Sequence, residues 1–377
     1  MESLFIHGYE EEAKNTTEWQ QLNKQLITPY NAEVVEEENY VKPFSNSRFL
    51  WVDSDLDYVN GMVSTSSLKK IILHYRIWKS DRNTETNPRV VLLVHGVGSS
   101  TAGWRHCIDS LLEKYEMVVA MDLPGFGFSS RTIGLSHSRW NRAFWCIQLM
   151  NQISKSILVA ETQILWTIFS HSMSCLFCPC LIWMVNQKEW TNFENYLTDS
   201  NSKRFFQIDH LIMASGTYFQ SNLSEMLSYS VVQSITRMTL RMIMGKTAMS
   251  FILKSSFNRN PTNEELLSYT IPIGIQNSID CFVDILISFK ADDEQFSMEK
   301  HLEILNQLTK WCRVTQIVAK LDNVHSMEEA LKFKTILESQ ESSKNGKFVY
   351  KLFENASHCL METEIDDFNN FISNELQ

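Results

Sequence analysis

Ile164-Leu165-Trp166-Thr167-Ile168-Phe169-Ser170-His171-Ser172-Met173-Ser174-Cys175 is the stretch whose reading decides the fold. An apolar, β-favouring run stops at small and polar residues, and a second apolar run starts at once. A buried strand that turns sharply into a buried helix has this pattern, with Ser172 at the apex. Such a turn lifts the serine hydroxyl above the sheet edge. It also aims the next backbone N–H, that of Met173, at the oxygen of the group under attack. The same residues carry a rival reading. No residue from Thr162 to Gln187 is an acid, a lysine or an arginine, which is long enough to span a bilayer. Ser170, His171, Ser172, Ser174 and Pro179 in the middle of the run favour a strand and a helix buried together.

Outward from this turn, the chain reads as alternating strands and helices. Phe49–Val52 and Lys70–Trp78 look like two antiparallel strands, with a turn signal at Asn60-Gly61. Arg89–Val94 is a continuous apolar run, the mark of a strand buried on both faces of a parallel sheet. His95-Gly96-Val97-Gly98 follows it. Then come Trp104, an amphipathic helix from Cys107 to Tyr115, a strand from Met117 to Met121, and Asp122-Leu123-Pro124-Gly125-Phe126-Gly127-Phe128-Ser129-Ser130. Apolar residues three and four apart predict a helix over 139–158, and Gln207–Ala214 reads as a strand.

Further on, Val314–Asp322 is a strand ending in an aspartate, followed by a helix from Ser326 to Leu337. Phe348–Phe353 is the last strand. Asn355-Ala356-Ser357-His358 and a helix over 366–376 complete the chain.

Composition bounds the function. A chain of 377 residues with 44% hydrophobic and 21% charged residues can bury a substantial core, as one large α/β domain or two small ones. A formal net charge of −10 argues against a nucleic-acid partner, which requires a basic face. Only 12 glycines and 7 prolines are present, so Asn, Ser and Asp must build many of the turns. Met1–Gly8 lacks the basic and apolar regions of a secretory signal, and Asn374–Gln377 matches no retention or peroxisomal address. The eight cysteines are therefore expected as reduced thiols of an intracellular, cytoplasmic protein. Cys175, Cys178 and Cys180 have metal-ligand spacing, but they lie on an apolar helix without a fourth ligand. They read as core cysteines, and no metal or cofactor is expected. Pro179 should kink or break that helix near its second turn.

Taken together, 90–130, the turn at Ser172 and the histidine loop at 355–362 make the chain resemble the α/β-hydrolase superfamily, in its serine esterase and lipase-like branch. The resemblance implies a mostly parallel sheet flanked by helices, with a helical cap inserted between core strands. On that division, 1–47 is an acidic extension, 48–217 and 299–377 form the core, and 218–298 form the cap. The order Ser172, Asp322, His358 matches the superfamily's nucleophile, acid and base, each just past a strand. The backbone N–H groups of Val97 and Met173 take the oxyanion positions. Asp122 falls in a turn where a structural role is expected, and Asp292 and Asp293 compete with Asp322 as the acid.

This sequence departs from the superfamily pattern at three places. Both glycines of Gly-x-Ser-x-Gly are serines, Ser170 and Ser174, and Ala319 replaces the glycine before the acid. Two classes of function follow. One is a serine hydrolase cleaving a carboxylic ester with an apolar or lipid-like acyl group, or transferring that group to an alcohol. The other is a catalytically degenerate member that binds a lipid or a partner. A serine nucleophile speaks against epoxide-hydrolase and dehalogenase chemistry, which needs a carboxylate. Within 218–298, apolar helices at Met226–Met244, Thr247–Phe257 and Pro261–Phe289 are rich in methionine, and Arg237, Arg241, Lys246 and Lys254 are interleaved with them. Such a cap either packs on the sheet or touches a membrane or lipid droplet with its basic residues at headgroup level.

Overall fold

The computed structural model describes residues 46–54, 57–59, 62–64, 70–81, 87–157, 163–186, 206–219, 230–243, 246–275, 277–295, 298–340 and 346–376. Almost all of the acidic extension, and its Glu10–Glu12 and Glu36–Glu38 runs, lie outside them.

An eight-stranded sheet forms the centre. β1 (Ser47–Asp53) and β4 (Lys70–Lys79) pair antiparallel at one edge, with a small hairpin, β2 (Asp57–Val59) and β3 (Met62–Ser64), between them in sequence. β5 (Arg89–Val94), β6 (Met117–Met121), β7 (Ile164–His171), β8 (Phe206–Ala214), β9 (Arg313–Ala319) and β10 (Phe348–Phe353) continue it, all mutually parallel. The spatial order is β1-β4-β6-β5-β7-β8-β9-β10. β5, β6 and β7 have almost no exposed side chain, because helices cover both faces of a parallel sheet.

Two apolar layers follow from this. One face packs on α2 (Arg139–Ile157) and α3 (Ser174–Asn186), through Trp145, Phe177 and Leu181. The other packs on α1 (Ile108–Leu112) and the C-terminal helices, through Trp104, Phe169 and Phe368. Within the charge-free run, residues 164–186 are thus a strand and a helix of the same core. No helix among the described residues is long and apolar enough to cross a membrane. A kink or a break is expected at Pro179; α3 runs continuously through it, so the break does not occur. The proline removes one intrahelical hydrogen bond, while every residue of α3 from Ser174 to Val185 is buried, so tertiary packing holds the helix together. Cys175, Cys178 and Cys180 are buried among the apolar side chains of the core, and no cluster of potential metal ligands occurs among the described residues.

Between β8 and β9 lie the cap helices α4 (Ser230–Ile243), α5 (Lys246–Phe257), α6 (Asn263–Ile273) and α7 (Ser278–Gln295). The single helix expected over 261–289 is two, α6 and α7. α6 starts at a capping box, Thr262 with Glu265, and ends at Gly274. Arg237 and Arg241 do not stand free toward solvent. They pair with Asp284 and Asp280 on α7. Asp292 lies in α7 as well, as does Asp293. α8 (Met298–Leu305) and α9 (Leu308–Trp311) lead back to β9, and α10 (Met327–Glu338), capped by Ser326, joins β9 to β10.

Candidate active site

Ser172 follows β7 directly and precedes α3 by one residue. Its φ of +56° is in the left-handed region, which costs a non-glycine residue energy unless neighbours enforce it. β8 and the loop after it supply that enforcement. The Ser172 N–H donates to the Ala214 carbonyl at 3.0 Å, and the Ser172 carbonyl accepts the Thr217 N–H at 3.1 Å.

The two serines that replace glycines brace the same turn. The buried Ser174 hydroxyl accepts the His171 N–H at 2.7 Å and donates to the Val94 carbonyl at 2.7 Å, tying the elbow to β5. The Ser170 hydroxyl donates to the Ile212 carbonyl of β8 at 2.9 Å. Close approach is absorbed elsewhere. A Cβ on Gly96 would lie 2.6 Å from Ser172 Cβ, and one on Gly216 would lie 2.7 Å from Cys175 Cβ.

Ser172, Asp322 and His358 come together in one hydrogen-bonded line. His358 Nε2 is 3.0 Å from Ser172 Oγ, and His358 Nδ1 is 2.9 Å from Asp322 Oδ2. The other carboxylate oxygen of Asp322 accepts the N–H groups of Val324 (2.7 Å) and His325 (3.0 Å). Burial opposes charge on Asp322, but His358 and these two N–H groups outweigh it and lower the pKa below the usual aspartate value. Asp122 is engaged in a different task. It accepts the N–H groups of Thr101 and Phe128 and pairs with His74 at 2.7 Å, fixing the loop after β6. Burial again opposes its charge, and His74, His95 and the Phe128 N–H hold its pKa at about 2.

Val97 and Met173 lie beside Ser172, one in the loop that follows β5 and the other next in the chain. Gly96 packs against the Ser172 side chain, and Val97, the next residue, lines the cavity there. His95 shapes this loop, donating from Nδ1 to the Gly96 carbonyl and accepting the Leu123 N–H on Nε2. Met173 immediately precedes α3, at the helix end whose first backbone N–H groups have no acceptor within the helix.

Two further histidines belong to the site and were not singled out from the sequence. His171 Nε2–H donates to the His358 carbonyl at 3.0 Å, and burial with the neighbouring His358 pushes its pKa down to about 3. His325 Nε2 lies 3.4 Å from Ser172 Oγ and 3.0 Å from Thr217 Oγ1. The available signal was the spacing Asp322-Asn-Val-His325. An aspartate whose side chain accepts N–H groups two and three residues on turns the third residue back beside it.

Ser172, His358 and Val97 open on a cavity of about 420 Å³ between the sheet edge and the cap. Met249, Ile252 and Leu253 of α5, Ile273 of α6 and Phe282 of α7 give it an apolar side. Arg131 borders it and anchors the cap. Its guanidinium donates to Ser278 Oγ at 2.7 Å, to the Pro272 carbonyl at 3.0 Å, and to the carbonyls of Ser129 (3.0 Å) and Gly127. Tyr269 of α6 donates to the buried Glu362, at the end of the histidine loop, and Arg105 pairs with the same carboxylate at 2.7 Å.

No protein-family model matches the sequence, and neither does any curated protein. Solved structures do match. A probable hydrolytic enzyme from Pseudomonas aeruginosa superposes with a TM-score of 0.57 at 13% identity, covering 93% of this chain and 99% of its own. A bromoperoxidase from Bacillus anthracis gives 0.54 at 17%, covering 80% and 94%. The chain has the α/β-hydrolase fold. A thermophilic esterase from Thermogutta terrifontis shares this α/β-hydrolase architecture at a TM-score of 0.55 and 14% identity, over 87% of this chain and 98% of its own.

Proposed function

We propose that the chain is a serine hydrolase that cleaves carboxylic esters with an apolar acyl group. The observation that carries this reading is the unbroken line from Asp322 through His358 to Ser172, ending in a largely apolar cavity. In the acylation step, His358 Nε2 takes the Ser172 proton and Oγ attacks the ester carbonyl. Asp322 holds Nδ1–H and stabilises the imidazolium that forms. The N–H groups of Val97 and Met173 take the charge that develops on the carbonyl oxygen. His358 then protonates the leaving alcohol and activates a water that releases the acid. The pair Ser170 and Ser174 supports activity over degeneracy, because both hydroxyls hold the turn that presents Ser172.

The size and polarity of the cavity favour a medium-length acyl chain over a polar acid. Hydrolysis of p-nitrophenyl esters of rising chain length tests the reading. Turnover should increase from acetate toward medium chains and vanish in Ser172→Ala. Equal, slow hydrolysis by both proteins would sink it.

One surface feature favours contact between the cap and a lipid interface. Phe251 is 72% exposed and Ile252 is 49% exposed, and Ile252 also lines the cavity, so the apolar rim is continuous with the site.

A further inference from the structure

Ser172 Oγ has an imidazole on each of two sides. His358 Nε2 stands at 3.0 Å and His325 Nε2 at 3.4 Å, and the two rings meet edge to face with centroids 5.0 Å apart. His325 also reaches Thr217 Oγ1 at 3.0 Å. Thr217 in turn holds the Ser172 carbonyl through its own N–H. His325 is not part of the wall of the large cavity. It borders a small space behind Asp322, whereas its neighbour Val324 faces the cavity. A substrate in the cavity therefore does not face His325, and any effect of this residue passes through Ser172 and the groups around it.

Counting protons fixes the direction of these bonds. The Asp322 carboxylate can only accept, so His358 Nδ1 carries a proton, and Nε2 of the neutral ring is bare. The single Ser172 hydroxyl proton goes to that bare nitrogen. Toward His325, Ser172 Oγ can then only accept. Burial and the adjacent His358 push the His325 pKa down to about 4, so near neutral pH its ring holds one proton.

We propose that His325 is a positioning residue for the nucleophile, its Nε2–H shared between Ser172 Oγ and Thr217 Oγ1 so that the serine proton stays directed at His358. This rests on the reading of Ser172 as the residue that is acylated. The same N–H serves the second half of the reaction. When the bond between Ser172 Oγ and the acyl carbon breaks, its electron pair returns to Oγ and His358 delivers the proton taken from water. The His325 N–H faces Oγ while that charge is present. Hydrogen bonds that are long in an empty site tighten when charge develops.

The test has two arms. In ester turnover, His325→Ala should lower kcat by about threefold to tenfold, the range of one hydrogen bond. KM should stay within about twofold, since His325 does not face the cavity. His325→Gln, whose amide N–H can occupy the same place, should recover most of the loss, and His325→Phe should not. An unchanged kcat in His325→Ala, or a loss confined to KM, overturns the proposal. The second arm is ¹⁵N-histidine NMR of the wild-type protein at neutral pH, which needs neither turnover nor a stable variant. His325 should be the Nε2–H tautomer, and its Nε2 resonance should move in Ser172→Ala. An Nδ1–H tautomer overturns the proposal. If the wild type hydrolyses no ester, the hydrolase reading fails, and the NMR arm still decides the hydrogen bond.

Discussion

Around Ser172 the anchoring contacts are buried and centred on backbone groups, whereas the helices of the cap are joined to one another in part by side-chain charges at the surface. At the sheet edge, Ser170, Ser174 and Thr217 bind carbonyls and N–H groups of β5, β8 and the elbow itself. In the cap, Arg237 with Asp284, Arg241 with Asp280 and Arg259 with Glu265 are partly exposed pairs. Arg131, and Tyr269 through Glu362, are buried contacts that join the two regions. Exposed ion pairs contribute little and weaken with salt, while a buried donor left unpaired costs much more. The difference teaches that the proposed reacting groups sit where the contacts are buried, while the cap helices above them are joined in part by weaker, salt-sensitive pairs.

Changes at the buried edge should therefore have the larger effects. His358→Ala should lower ester turnover by about 10⁴-fold or more with the fold intact, as measured by initial rates and circular dichroism. Gly96→Ala places a methyl 2.6 Å from Ser172 Cβ and should displace the nucleophile, at a cost of about 10²-fold in kcat.

Ser174→Gly restores the superfamily's usual residue, yet here it removes the acceptor for the buried His171 N–H. Urea unfolding should show a loss of about 1–3 kcal/mol. A gain in stability would show that the serine is a burden and not a brace. Phe251→Ser, on the exposed face of the cap, should change stability by less than about 0.5 kcal/mol and leave turnover of dissolved esters alone. Its effect belongs to vesicle binding, which flotation would read.

Acid tests the same contrast from another side. Burial lowers the pKa of His171 and His210 to about 3 and of His301 and His325 to about 4. Unfolding releases them to ordinary values near 6.5, so the unfolded chain binds more protons between those limits. Stability should be fully present above about pH 6.5 and fall as pH drops toward 4, by up to about 1.4 kcal/mol per group per unit. Thermal unfolding at pH 7 and pH 5 checks the sign, and a higher Tm at pH 5 would contradict it.

The sheet was legible because each parallel strand is a short apolar run bounded by polar turns, as at Arg89–Val94 and Phe348–Phe353. The places of Ser172, Asp322 and His358 were legible because each follows such a run. What the hydroxyls of Ser170 and Ser174 do was not, since their partners Ile212 and Val94 are 42 and 80 residues away. His325 was hidden for a similar reason. Its importance depends on Thr217, on another strand end. The division of α6 from α7 was missed because an apolar run gives no period break at Pro272–Gly274, where the chain turns. The continuity of α3 through Pro179 reflects packing against the sheet and α2, which local propensity does not contain.

The most direct test is reaction with a fluorophosphonate followed by peptide mass spectrometry. The account predicts one adduct, on Ser172, formed by the wild type and absent from Ser172→Ala and slowed strongly in His358→Ala. A folded wild-type protein that forms no adduct, or an adduct on another serine, would contradict it.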